Sequence, residues 1–205
     1  LRAMIGVDPG KVLGLVSGVR DHQEREELTR NAAKEWISQS PAEALQWLEA
    51  QSAGSLRSTT SHSMFYGAIN SSPTLAGQVF EHMTPGSRSH AITPLISKWA
   101  KMDLTSAKQF LEEIDNPAIL KNGVEAIMKP WSQGNPKDAL AFFEEHQDLF
   151  GTRKGAAIIN IASGWATKNP HEALEWAASL EDPELKNYAT QKENATWAQN
   201  DPSSA

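Results

Sequence analysis

The chain has 205 residues, 40% of them hydrophobic, with a formal net charge of −6 and no cysteine. That length and apolar content suffice for a substantial core, while the acidic balance argues against a phosphate backbone as partner. The lack of cysteine excludes disulfides and thiolate metal sites and leaves the compartment open; no apolar run nears the ~20 residues that cross a bilayer, so no membrane insertion of this segment is expected.

The seven tryptophans supply a period. Trp36, Trp99, Trp131, Trp165 and Trp197, with Ala68 filling the long gap and Met4 extending the series backward, are separated by 32, 32, 31, 32, 34 and 32 residues. Other positions follow these markers in register. In chain order, Met4 is followed by Asp8-Pro9, Val12 and Leu15; Trp36 by Ser40-Pro41, Ala44 and Trp47; Ala68 by Ser72-Pro73, Ala76 and Val79. Trp99 is followed by Asp103-Leu104, Ala107 and Phe110; Trp131 by Asn135-Pro136, Ala139 and Phe142; Trp165 by Asn169-Pro170, Ala173 and Trp176; Trp197 by Asp201-Pro202 and Ala205.

Each of these is a helix start. Asp, Ser or Asn accepts from free N–H groups of the first turn, and proline at the first helical position gives up an N–H that has no partner. Ser40 with Glu43 and Asn169 with Glu172 have capping-box or near capping-box spacing. The small residue eight positions past the marker permits close helix approach, and the apolar one three further on shares its face. This second helix of each unit is helix B.

Helix A precedes each marker, with apolar residues at offsets −8, −7, −4, −3, 0 and +1. In the fourth unit these are Ala91, Ile92, Leu95, Ile96, Trp99 and Ala100; in the sixth, Ala157, Ile158, Ile161, Ala162, Trp165 and Ala166. Such a stripe is helical, and nothing in the chain alternates with period two, so no sheet is expected. The third unit diverges most, with Ala68 in place of Trp and Ser61, His62 and Ser63 in its helix A; it is expected to be a softer joint. Gly54, Pro85-Gly86, Pro117, Gly151 and Pro183 break the chain between B and the next A. A tryptophan burying ~150–250 Å² contributes up to about 4–6 kcal/mol, which makes the markers the main cement between helices.

The fold expected is therefore all-α, an α-solenoid of stacked antiparallel helix pairs forming one array over residues 1–205. The first unit lacks its helix A and the last helix B has barely started, which predicts a fragment of a longer array.

The stretch from Ile159 to Leu180, and within it Glu172-Ala173-Leu174-Glu175-Trp176, resembles a tetratricopeptide unit; Asp138-Ala139-Leu140 and Glu43-Ala44-Leu45 repeat it more faintly. It departs from that family in having Ile161 near the place of the early glycine, and in a proline at the A-to-B turn. The resemblance implies an inner surface made mainly by A helices that holds peptides or partner proteins; from the residues themselves neither a cofactor nor catalysis is expected. The same stretch is similar to pentatricopeptide units, which bind RNA, although the period, the acidic charge and the lack of a regular base-reading pair argue otherwise.

At the N-terminus, Ile5-Gly6-Val7-Asp8-Pro9-Gly10 followed by Gly14 resembles the first strand of ribonuclease-H-like nucleases, which implies metal binding at Asp8 and gives the alternative of a metal-dependent nuclease. Asp8-Pro9 also lies one period before Ser40-Pro41, and the helix-cap reading is preferred; Gly10, Gly14 and Gly18 then line one helical face and are expected to permit close packing. Gly10-Lys11 lacks the spacing and hydroxyl of a phosphate loop. The six histidines, at 22, 62, 82, 90, 146 and 171, include no i,i+4 pair, Ser106 has no lysine three residues on, and the pairs Glu112-Glu113 and Glu144-Glu145 read as solvated helix ends. No catalytic or metal-binding residue is assigned. Arg25, Arg57, Arg88, Lys121, Arg153 and Lys186, each 20 to 22 residues past a marker, are read as ion-pair partners of acidic helix-B ends in preference to a ladder for an acidic ligand.

Offsets −5 and −2 of helix A lie outside the apolar stripe. They hold Asn31 and Lys34, Ser63 and Tyr66, Pro94 and Ser97, Ala126 and Lys129, and Asn160 and Ser163. Of these, Asn31, Lys34, Ser63, Tyr66, Ser97, Lys129, Asn160 and Ser163 are the candidate groove residues for a protein or peptide partner; plain solvent exposure accounts for the same variety almost as well.

Overall fold

A computed structural model of the chain describes residues 1–152, 154–181, 183, 186, 187 and 189–191. Arg153, Trp197, Asp201, Pro202 and Ala205 lie outside the described residues. Among those described the structure is all-helical, without a strand, and none of the helices is long and apolar enough to cross a membrane.

The chain divides into two compact units, Leu1–Ala91 and Ile92–Ala205. The first contains α1 (Pro9–Leu15), α2 (His22–Gln39), α3 (Pro41–Ala50), α4 (Ser55–Ala68) and α5 (Pro73–Glu81). The boundary falls within α6 (Pro85–Met102); α7 (Leu104–Glu112), α8 (Pro117–Ser132), α9 (Pro136–Glu145), α10 (Gly155–Ala166) and α11 (Pro170–Ser179) follow. In the first unit α2 packs along α4 and against α1, and α4 against α5; in the second α8 packs along α10, and each of these two against the helix that follows it.

The six described B helices start where the cap and proline positions require. Asp8, Ser72, Asp103 and Asn135 accept from the N–H three residues on, at 2.9, 3.2, 3.1 and 3.3 Å. Ser40 and Asn169, expected to cap likewise, make no such side-chain bond. Their backbone carbonyls still accept from Ala44 and Ala173, so proline and the first main-chain bond define those two starts. Pro85 and Pro117, expected between helices, instead open α6 and α8, where a missing N–H does no harm.

Five of the described markers are buried, Trp36, Trp99, Trp131 and Trp165 at 6–9% exposed and Ala68 at 2%, while Met4 is half-buried. Each tryptophan meets the aromatic eleven residues on, with ring centroids at 5.8 Å for Trp36–Trp47, 5.2 Å for Trp99–Phe110, 5.1 Å for Trp131–Phe142 and 5.4 Å for Trp165–Trp176. These are favourable aromatic separations across each A-to-B turn. The small residue at +8 is fully buried in the six units where it is described, from Val12 to Ala173. Leu15 departs from the pattern: it ends α1 and is exposed.

Two expectations need correction. Of the three N-terminal glycines only Gly10 marks a close approach, to the Trp36 indole; Gly14 and Gly18 have open space beside them, and Gly18 lies past the end of α1. The recurring basic residues are mainly not ion-pair partners of helix ends. Arg25 donates to the Val19 carbonyl at 3.1 Å, Arg57 to that of Leu48 at 3.1 Å and Arg88 to that of Phe80 at 3.0 Å. A cation from each of α2, α4 and α6 thus satisfies a carbonyl at the end of the segment before it, where the helix dipole favours positive charge. Arg88 also pairs with Glu81 at 3.5 Å, and Lys121 lies over the Phe150 ring.

Candidate functional site

Within the second unit, α6, α8 and α10 bound a cleft of about 450 Å³. Thr93, Ser97 and Lys101 come from α6; Asn122, Glu125, Ala126, Lys129 and Pro130 from α8, with Gln133 just beyond it; Asn160 from α10. Counted from the tryptophans, these are offsets −9, −6, −5, −2 and +2 together with Pro130, residues spaced three and four apart on one helical face.

Two glycines set the spacing of the walls. A Cβ on Gly164 would lie 2.5 Å from the Lys129 carbonyl oxygen and 2.7 Å from Ser132 Cβ, so the backbone of α10 rests directly on that of α8. A Cβ on Gly123 would meet the side chains of Leu111 on α7 and Ile92 on α6, so α8 lies close against both at that point. One hydrogen bond ties the walls: Asn160 Nδ2 donates to the Glu125 carbonyl at 3.2 Å. Among the described residues no ion pair joins Lys101 or Lys129 to a carboxylate. The cleft therefore carries amides, hydroxyls, two ammonium groups and one carboxylate, a set suited to hydrogen bonding with a polar chain.

Ser97, Lys129 and Asn160 are thus brought together, with Ala126 between them. Ser163 is 4% exposed and does not line the cleft; it adjoins Gly164, where the two backbones meet. Its carbonyl accepts from Thr167 at 2.9 Å. In the first unit Asn31 and Lys34 are exposed on α2, whereas Ser63 on α4 is buried. Gly67 brings α4 against Lys34 and Ile37, with the Lys34 Cα 3.3 Å from where a Cβ would stand. Tyr66 is 41% exposed and meets the His62 ring at a tilt, with ring centroids at 4.9 Å. A second cleft of about 280 Å³, lined by Val16, His22, Arg25, Ser55 and Thr59 among others, includes none of the candidate groove residues.

Thr93, Glu125, Lys101 and Gln133 were missed because only offsets −5 and −2 were considered. The signal was present: four-residue steps either side of −2 give −6 and +2 on the same face.

Asp8 serves as the cap of α1, and residues 5–7 form a turn. No group of three or more His, Asp or Glu among the described residues is arranged to hold a metal ion. Among the described residues two groups have shifted acidity. Burial lowers the His82 pKa, and the Ser106 hydroxyl and N–H hold the Asp103 carboxyl below its usual range. Neither residue lines a cleft. No family model matches the sequence, and neither a curated protein nor a solved structure matches it.

Proposed function

We propose that the chain is a binding scaffold for a protein or peptide partner, built as an α-solenoid of tetratricopeptide-like units with a period of about 32 residues, and that it carries out no catalysis. The observation that carries this reading is the convergence on one cleft of residues at offsets −2 and −5 from three successive A helices. Ser97, Lys129 and Asn160 were singled out by offset alone, and all three line the cleft among α6, α8 and α10. A surface composed from residues of neighbouring units suits an elongated ligand that spans several helices. The positions of the B-helix starts and the Trp–aromatic contacts at four of the described A-to-B turns support the repeated unit.

A photo-crosslinking side chain introduced at Ser97 or Lys129, with the exposed helix-B residue Glu144 as control, tests this in the cell of origin. The scaffold reading predicts one discrete adduct from the cleft positions and none from the control. Equal labelling from all three positions would contradict it.

A further inference from the structure

The α8 helix runs on through Pro130, which lines the cleft and directly precedes the Trp131 anchor. Proline is the least favourable residue in a helix interior, because it removes one hydrogen bond and crowds the carbonyl four residues back. Here that carbonyl belongs to Ala126, which lines the same cleft. The neighbouring Glu125 carbonyl receives the Asn160 side chain in addition to any helical donor. Ala126 is denied its helical donor by the chemistry of Pro130.

We infer that the Ala126 carbonyl is a ligand acceptor, which receives a main-chain N–H of an extended peptide segment of a partner protein. The inference rests on the scaffold reading above and adds to it the acceptor and the class of group received. The lining supports a peptide over an anion: along α8 and just beyond it the acceptors Glu125 and the Ala126 carbonyl are followed by the donor Lys129 and by Gln133, whose amide both donates and accepts. A phosphate requires donors only, whereas an amide chain presents N–H and C=O alternately. Pro130 is then a specificity-determining residue that keeps the acceptor open.

The test uses the whole chain and heptapeptides selected against it from a random display library, retaining those whose binding is lost in Lys129→Glu. Their affinities are measured for the native protein and Pro130→Ala, and again after methylation of each peptide nitrogen in turn. Alanine restores the N–H and closes the helical bond, so Pro130→Ala is expected to melt at a higher temperature yet bind about tenfold more weakly. Methylation at one nitrogen is expected to cost the native protein about tenfold and the variant little, the signature of a coupled pair. Equal affinity of the two proteins, or methylation effects of the same size in both, would overturn the inference and leave the scaffold reading standing. Failure to obtain any peptide that Lys129→Glu displaces would remove both.

Discussion

Replacing Gly164 by alanine sets two known effects against each other. In a helix interior alanine is favoured over glycine by about 1 kcal/mol. At Gly164 the new methyl would meet the Lys129 carbonyl oxygen at 2.5 Å and Ser132 Cβ at 2.7 Å. Neither atom is the far end of a flexible side chain, so α8 and α10 must separate. Overpacking costs 1–3 kcal/mol, and obstruction by a main-chain oxygen puts this case at the upper end. The net expectation is a loss of about 2 kcal/mol, or about 4–8 °C in melting temperature for a chain of this size. Gly14→Ala in α1 is the matched control, since nothing lies within 4 Å of its Cβ position; it is expected to gain up to about 1 kcal/mol. Urea unfolding followed by circular dichroism measures both. A Gly164→Ala protein as stable as the native one, or stabilised like Gly14→Ala, would refute the close backbone contact that shapes the cleft wall.

The cap of α7 is expected to give a pH-dependent stability. Ser106 holds the Asp103 carboxyl below its ordinary value near 3.8, so its contribution is complete above that value and is lost as the pH falls through the lower, folded one. Asp103→Ala should therefore melt below the native protein at neutral pH, and the two curves should converge in strong acid; a constant difference would contradict the ionised cap. Arg57→Ala removes the donor to the Leu48 carbonyl, with an expected cost of about 1 kcal/mol. Hydrogen exchange at the end of α3 should rise in that variant, and unchanged protection there would argue against the capping role.

The features legible in the sequence are those whose cause is local. A cap residue followed by proline fixes a helix start without reference to the rest of the chain, and α1, α3, α5, α9 and α11 begin at those prolines. The Trp99–Phe110 and Trp131–Phe142 contacts were likewise readable, since both partners lie on adjoining helices joined by a short turn. Causes that act across space were not. Gly14 and Gly164 are indistinguishable as letters, yet one faces open space and the other a backbone oxygen. Arg57 was legible as a recurring cation, but its carbonyl partner is supplied by the preceding helix. The cleft was half legible: offsets −5 and −2 led to Ser97, Lys129 and Asn160, but helix proximity buries Ser163 and brings in Glu125 and Gln133.

Native-state hydrogen exchange on Trp131→Ala tests the central claim most directly, that each tryptophan-anchored pair is held by its neighbours. Trp131 is 7% exposed and its ring meets that of Phe142 of α9, and α8 packs along α10. Truncation is expected to cost about 3–5 kcal/mol and to lower protection in α8, α9 and α10 together. Loss confined to α8 and α9, with α10 protected as in the native protein, would contradict the account.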